Sequence, residues 1–374
     1  MSAAAASALK RPAVLTAGGT GGHMFPALAL AEELARRGRR VVVFTDDRGK
    51  NYAEKIAGIE SIVVPSASPA RGGPLGRVGF LATLARGAFV ASRLLRRLRA
   101  EIVIGFGGYA SFPAGFMAGR YRLPLVLHEQ NGYLGLANRK LARKAQAIGI
   151  AFPKVAGMPA TTAEIAQVGN PVRPAFLDIR EQPYAAANAN EPLRLLIMGG
   201  SQGARIFSEV IPAAIGKLDR ELRSRLDITQ QCRPEDLARV QDTYAKLDVK
   251  AALKSFFDDV PARLGAAHLV ICRAGASTVA EITVAGRPAI YVPYPHAADD
   301  HQRYNAEAVA AAGAGWAIAQ PEFTADALAA RLVELAHRPQ ELVQAAAAAR
   351  AFAKPDAAKA LADLVEKHWR PRTA

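Results

Sequence analysis

The sequence predicts an α/β protein made of two Rossmann-like domains that face a common cleft. Apolar runs alternate with amphipathic stretches along the chain, as in parallel sheets with helices on both faces. A glycine-rich turn of one design occurs twice, Gly18-Gly19-Thr20-Gly21-Gly22-His23 and Gly199-Gly200-Ser201-Gln202-Gly203-Ala204-Arg205. Each follows a short apolar run and opens an amphipathic stretch, so each reads as strand, tight turn and helix N-terminus. The length of 374 residues exceeds one ordinary core and suits two domains.

The first half begins with a strand at Ala13-Val14-Leu15. The first turn leads into a helix over residues 27–37, with Leu28, Leu30 and Leu34 on one side, Pro26 at its start and Gly38 at its end. Strands follow at residues 41–44, 62–64, 102–104 and 125–127. The second half repeats the scheme, with strands near 195–198, 227–230, 269–272 and 289–292. Between the halves, residues 169–190 carry Asn-Pro, Arg-Pro and an Ala/Asn-rich stretch that interrupt periodicity. The expected organisation is a domain over 1–175, a second over 176–345, and C-terminal helices over 346–374 that pack back towards the first. The Ala-rich tail, 340–369, reads as two helices split near Pro355.

With 51% apolar and 22% charged residues the composition is globular. The net charge of +15 is unevenly placed: residues 1–175 hold 24 lysines and arginines against 9 acids, whereas the remainder holds 24 of each. The first half is therefore the one expected to meet an anionic partner. Two cysteines, Cys232 and Cys272, build no disulfide framework or zinc motif and point to a reducing, cytoplasmic setting. Residues 1–10 lack the pattern of a secretory signal. The uncharged run 102–119 is broken by glycines, Tyr109, Ser111 and Pro113 and does not resemble a membrane span. A soluble or peripheral protein is expected, with no nucleic acid among its partners.

Both glycine turns offer unpaired amides and the positive end of a helix dipole, which suits phosphate. His23 follows the first turn, where it is either an exposed base or anion ligand or a helix-start residue bonded to backbone. The second turn lacks the Lys-Ser/Thr ending of a P-loop and reads as a phosphate cradle or a plain turn. Cys272-Arg273-Ala274-Gly275-Ala276-Ser277-Thr278-Val279-Ala280-Glu281 runs from a strand end through small residues into a helix. Its small residues allow close backbone approach, and Glu281 either grips a ribose diol or merely complements the helix dipole. His296-Ala297-Ala298-Asp299-Asp300-His301-Gln302 is a polar strand-end loop, open to a metal reading, a solvated loop, or sugar recognition by Gln302. His128-Glu129-Gln130-Asn131 is another such cluster. Residues 61–100 hold seven arginines and no acid among interleaved apolar residues. This suits an anionic membrane surface, a core helix with a solvated arginine face, or both. No Asp-x-Asp triplet occurs, so no metal clamp for a diphosphate is expected.

Seven segments in order, GGTGGHMFPALALAEEL, GFGGYASFP, HEQNGYLGLANRKLA, GNPVRPAF, GGSQGAR, CRAGASTVAEI and DDHQRYNA, closely resemble the MurG family of bacterial cell-wall glycosyltransferases, of family 28 type. The resemblance spans nearly the whole chain. It implies a GT-B glycosyltransferase fold, with the nucleotide sugar mainly on the C-terminal half and a lipid acceptor on the basic N-terminal half. It implies inverting transfer of N-acetylglucosamine from UDP-GlcNAc to the muramyl 4-hydroxyl of lipid I, giving lipid II, with no cofactor and no metal. Residues matching its donor site are Thr20, Gly21, Gly22, Asn131, Arg173, Ser201, Phe257, Arg273, Ala276, Ser277, Thr278, Val279, Ala280, Glu281 and Gln302. His23 would be the base, with Tyr109, His128 and Glu129 as further catalytic candidates and Asn138 on the acceptor side. Phe257 would act through its backbone, its side chain being loosely constrained. The chain departs from the family pattern at Phe112 and Ala274. The implied location is peripheral, on the cytoplasmic face of the bacterial plasma membrane, with other wall-synthesis proteins as further partners. A GT-B transferase for another sugar, or a non-catalytic binding module, are the alternatives.

Overall fold

The computed structural model describes residues 11–19, 21–53, 58–67, 74–188, 191–200 and 203–369. The chain divides into two compact units, Met1–Val172 with Pro355–Ala374, and Arg173–Lys354.

The first unit holds seven strands: β1 (Ala13–Thr16), β2 (Val41–Thr45), β3 (Glu60–Val63), β4 (Ile102–Gly105), β5 (Leu125–Glu129), β6 (Ala147–Ile150) and β7 (Glu164–Gln167). All pair in parallel, in the order β3-β2-β1-β4-β5-β6-β7. In register, Leu15 lies between Val43 and Ile104. Strands β1, β2, β4, β5 and β6 are buried throughout, as strands covered on both faces must be. Alternate residues serve opposite cores. Leu15, Val43 and Ile104 meet Leu30 and Leu34 of the helix Gly21–Arg36 and Leu361 of the helix Ala357–His368. Val14, Val42 and Val103 meet Leu95 of the helix Pro74–Arg97 and Ala114 of the helix Ser111–Tyr121.

The first helix starts at Gly21, earlier than the expected 27, so Pro26 lies inside it and not at its head. The missing proline N–H falls opposite the Gly22 carbonyl, within the first two turns. The tail divides between the units. The helix Pro339–Phe352 stays with the second and packs on the helix Ala276–Ala285. From Pro355 the chain belongs to the first, where Arg37 binds Asp363 at 2.6 Å and Glu366 at 2.8 Å, and the Arg39 guanidinium covers the Trp369 ring.

The second unit holds β8 (Leu193–Met198), β9 (Leu226–Gln231), β10 (Lys250–Lys254), β11 (Leu269–Cys272), β12 (Ala289–Tyr291) and β13 (Trp316–Ala317). The order is β10-β9-β8-β11-β12-β13, again all parallel. Leu195, Ile197, Ile228 and Ile271 pack with Phe207 and Tyr244 in its core. The expected strands are present. Strands β6, β7, β10 and β13 were not anticipated: β7 and β10 alternate as half-buried edges, β6 mixes Ala and Gly with its isoleucines, and β13 spans only two residues.

Candidate active site

In each unit the strand order reverses direction between the first strand and the fourth, and ligands of such sheets bind beyond the carboxyl ends of those strands. In the first unit the turn after β1 and the loop after β4 therefore share one edge. In the second, the turns after β8 and β11 do.

His23 lies in the first turn of the helix Gly21–Arg36 and is half-buried. Its ring rests against Gly107 and Gly108, which take positive φ of 82° and 73°. Side chains there would come within 3.3 to 3.4 Å of the imidazole, so bare backbone makes room for it. His23 Nδ1 lies 3.0 Å from Gln130 Oε1, and Nε2 bonds no other described residue. Gln130 Nε2 in turn lies 3.0 Å from His128 Nδ1 and 3.2 Å from the His128 carbonyl, and His128 Nε2 lies 2.9 Å from the Gly169 carbonyl. Burial holds the His128 imidazole down at a pKa of about 4, so it is neutral at physiological pH.

Two expected catalytic side chains face inward, which corrects the sequence reading. His128 is fully buried and Glu129 is 2% exposed. Glu129 is a loop organiser: Oε1 accepts from Asn131 N and Nδ2, and Oε2 accepts from Gly135 N and Asn138 Nδ2 at 2.9 Å each. Asn138, expected on the acceptor side, is likewise fully buried and also donates to the His128 carbonyl. Tyr109 is exposed. Gly21 and Gly22 open the helix, and Thr20 lies outside the described residues. The first turn is less free for phosphate than its glycines suggest, because Asp46 Oδ1 accepts from Gly19 N at 3.1 Å.

Among the described residues the second unit's turn carries no such carboxylate. Gly199 N donates to Gln231 Oε1 at 3.1 Å, and Gln231 Nε2 donates to the carbonyls of Gly200 and Ser255. A side chain at Gly199 would stand 2.3 Å from Ala204 N, so the turn closes only on glycine. Ser201 lies outside the described residues.

After β11, Arg273 is spent on the protein. Nη1 donates to the carbonyls of Val292 and Pro293, and Nη2 donates to Gln320 Oε1 at 2.7 Å. It ties two strand ends together and leaves a partly buried positive charge beneath the site. Ala274 is held on both sides by the helix His301–Ala311: its N–H donates to Gln302 Oε1 and its carbonyl accepts from Asn305 Nδ2. Gln302 Oε1 also accepts from Tyr294 N at 3.0 Å. Two amides on one oxygen fix the side chain with its NH₂ turned away from them.

Gly275 caps the helix Ala276–Ala285, which carries Ser277, Thr278, Val279, Ala280 and Glu281. Val279 is buried and serves packing, whereas the Ser277 hydroxyl is buried without a partner among the described residues. Arg173 Nη2 meets Glu281 Oε1 at 2.8 Å, and burial pushes the Glu281 carboxyl up despite that guanidinium. Phe257 is buried with Arg263 stacked 4.3 Å above its ring, so its side chain is well constrained, contrary to expectation. His296 and Asp299 are exposed, and no cluster of three or more metal-ligating side chains exists among the described residues.

Gln130, Gln231, Asp46 and Asn305 organise these loops; the sequence reading placed Gln130 in a strand-end polar cluster without a role of its own and gave the other three none. For Gln130 a signal existed: two residues beyond His128 at a strand end, it falls on the same face.

The arginine-rich segment forms the helix Pro74–Arg97, of which Val78–Arg97 is long and apolar enough to cross a membrane. Ala91, Ser92 and Leu95 are nonetheless buried against the unit, and Ser92 Oγ lies 2.5 Å from Tyr121 Oη. Val78, Leu81 and Phe89 are more than 60% exposed.

The glycosyltransferase family 28 N-terminal domain matches residues 13–150, and the family's C-terminal domain matches residues 194–361. The chain is 53% identical to the UDP-N-acetylglucosamine--N-acetylmuramyl-(pentapeptide) pyrophosphoryl-undecaprenol N-acetylglucosamine transferase of Rhodospirillum centenum, over 95% of this chain and 93% of that one. The protein of the same name from Paramagnetospirillum magneticum is 49% identical, over 94% and 95%. Among solved structures, Acinetobacter baumannii MurG matches with a TM-score of 0.79 at 33% identity, covering 96% of this chain and 99% of that one. A UDP-GlcNAc 2-epimerase from Neisseria meningitidis, bound to UDP-GlcNAc, shares the fold at 13% identity and a TM-score of 0.67, covering 95% of this chain and 100% of that one.

Proposed function

The chain belongs to glycosyltransferase family 28, and we propose that it transfers N-acetylglucosamine from UDP-GlcNAc to the 4-hydroxyl of the muramyl sugar of undecaprenyl-pyrophosphoryl-MurNAc-pentapeptide. The products are lipid II and UDP, in bacterial peptidoglycan synthesis. The observation that carries this reading is the identity of 53% along 95% of the chain to a relative named for that reaction. The two parallel-sheet units are those of the GT-B fold.

The proposed chemistry is a single inverting displacement. His23 Nε2 takes the proton of the muramyl 4-hydroxyl while that oxygen bonds to the anomeric carbon. The bond from that carbon to the diphosphate oxygen breaks, and UDP leaves with the electron pair. General-base assistance of this type contributes roughly 10²–10⁴-fold.

The nucleotide diphosphate is assigned to the second unit, because the first unit's turn already binds the Asp46 carboxylate. There the amides that open the helix Ala276–Ala285, the turn at Gly199 and Gly200, and Arg173 would meet the charge that develops on UDP. Glu281 would hold the ribose hydroxyls and the Gln302 NH₂ a sugar hydroxyl. No metal or cofactor is needed in this scheme. Peripheral attachment through the helix Pro74–Arg97 would bring the protein to its lipid acceptor on the cytoplasmic face of the membrane. The test is transfer of labelled N-acetylglucosamine to a soluble acceptor analogue with and without chelator. Product in chelator supports the whole scheme, whereas product only with divalent metal removes the metal-free leaving group.

A further inference from the structure

The geometry points to Gln130 as a positioning residue for the transfer, an amide that passes the orientation of buried His128 on to His23 and keeps the His23 ring proton on Nδ1. This rests on the reading of His23 as the base.

The argument runs outward from the interior. The Gly169 carbonyl has only lone pairs to offer, so His128 Nε2, 2.9 Å away, must carry a proton. The imidazole is neutral, so His128 Nδ1 is a bare acceptor. Gln130 Nε2 meets that nitrogen and the His128 carbonyl, two acceptors at 3.0 and 3.2 Å. Only an NH₂ group satisfies both, and turning the amide over would set oxygen against each of them. Gln130 Oε1 therefore faces His23, and at 3.0 Å from Nδ1 it accepts that nitrogen's proton. In neutral His23 the lone pair is then left on Nε2, the nitrogen without a partner among the described residues.

Bases of this kind are commonly oriented by a carboxylate. Glu129 is adjacent in sequence, but its two oxygens accept four hydrogen bonds from Asn131, Gly135 and Asn138. A neutral amide is thus what reaches His23, and its direction is set by a histidine fully buried behind it.

The relay is tested by long-range ¹H–¹⁵N NMR on histidine-labelled protein, with transfer kinetics on the same variants. In the unaltered protein His23 should show a protonated Nδ1 and a bare Nε2, and His128 the opposite tautomer. In Gln130→Ala, His128 keeps its tautomer through Gly169, while His23 moves its proton to Nε2, the form imidazoles favour when nothing directs them. The expected kcat loss is roughly 10–10²-fold, part of what a base contributes, with KM for UDP-GlcNAc within about twofold. Gln130→Met, which keeps the volume without the hydrogen bonds, should repeat this result and serves if the alanine variant folds poorly. His23 already protonated on Nε2 in the unaltered protein, or unmoved in both variants, would overturn the relay. So would an unchanged kcat in variants of Gln130 where His23→Ala is inactive. A near-normal rate for His23→Ala would sink the base assignment instead, and the tautomer measurement would still decide the relay.

Discussion

Arg173 grips Glu281 with two nitrogens on one oxygen: Nε at 3.0 Å and Nη2 at 2.8 Å both meet Oε1. Oε2 makes no hydrogen bond to another described residue, which leaves it for the ribose hydroxyls proposed above. Burial raises the Glu281 carboxyl, and the guanidinium opposes the rise. The ionised form persists above the raised pKa and is lost as pH falls through it, so donor affinity should fall on acidification. Arg173→Ala removes the opposing charge and should move that loss to higher pH, with a larger KM for UDP-GlcNAc even at neutral pH. Measuring KM against pH for both proteins decides it. A limb that stays in place, or moves to lower pH, would show that the carboxylate does not govern donor binding.

Gln302→Glu isolates a single donor. A carboxylate oxygen can still accept from Ala274 N and Tyr294 N, so the loop is retained while the outward NH₂ becomes an acceptor. Loss of the proposed hydrogen bond to the sugar costs about 1–3 kcal/mol, or roughly 5- to 150-fold in kcat/KM for UDP-GlcNAc. Thermal stability should change little. An unaltered kcat/KM would remove Gln302 from the sugar site.

His128 predicts a pH dependence of stability. Its pKa falls from the ordinary 6.5 to about 4 on folding because the buried ring cannot hold charge. The unfolded chain therefore binds more protons between those values, and stability is full above pH 6.5 and declines as pH falls toward 4. The loss approaches about 3 kcal/mol below the lower value. His128→Phe keeps a ring beside Phe106, 5.4 Å away between centroids, and should flatten this part of the curve while lowering stability at neutral pH. Denaturant midpoints at pH 7.5 and 5.0 test it, and an equal pH response in both proteins would exclude His128 as the source.

The doubly wound sheets were readable in the sequence because strands such as Val14-Leu15 and Leu195-Leu196-Ile197 are buried on both faces and interrupted by glycine turns. Edge strands such as Lys250–Lys254 carry half that signal, since one face is polar. Within the site, residue types at strand ends were legible but their directions were not. His128, Glu129 and Asn138 read as polar groups at an open edge, and they turn inward: Glu129 satisfies the amides of Asn131 and Gly135, Asn138 donates to Glu129 and to the His128 carbonyl, and His128 donates to the Gly169 carbonyl. The dividing fact for the two glycine turns, a carboxylate on Gly19 N and a neutral amide on Gly199 N, depends on Asp46 and Gln231, each 27 or more residues away.

The helix Pro74–Arg97 supplies the last prediction. Val78, Leu81 and Phe89 fall on one side at helical spacing, and all three are exposed. Arg86, Arg93, Arg96 and Arg97 are exposed on the same helix. They are not equivalent: Arg96 donates to Ser92 Oγ and covers the Tyr121 ring, so its removal would disturb packing as well as charge. Arg93 covers only the exposed Phe89 ring and Arg97 has no such contact among the described residues, so these two are the cleaner probes. Each arginine near an anionic surface contributes about 1 kcal/mol, so Arg93→Gln with Arg97→Gln should weaken binding to anionic vesicles roughly 30-fold, and added salt should do the same. Phe89→Ser should lower binding through apolar contact, with a weaker salt response. Flotation on neutral and anionic vesicles separates the two contributions. Equal binding to both, unchanged in the double variant, would leave this helix as a packed surface element with no part in bringing the enzyme to its lipid substrate.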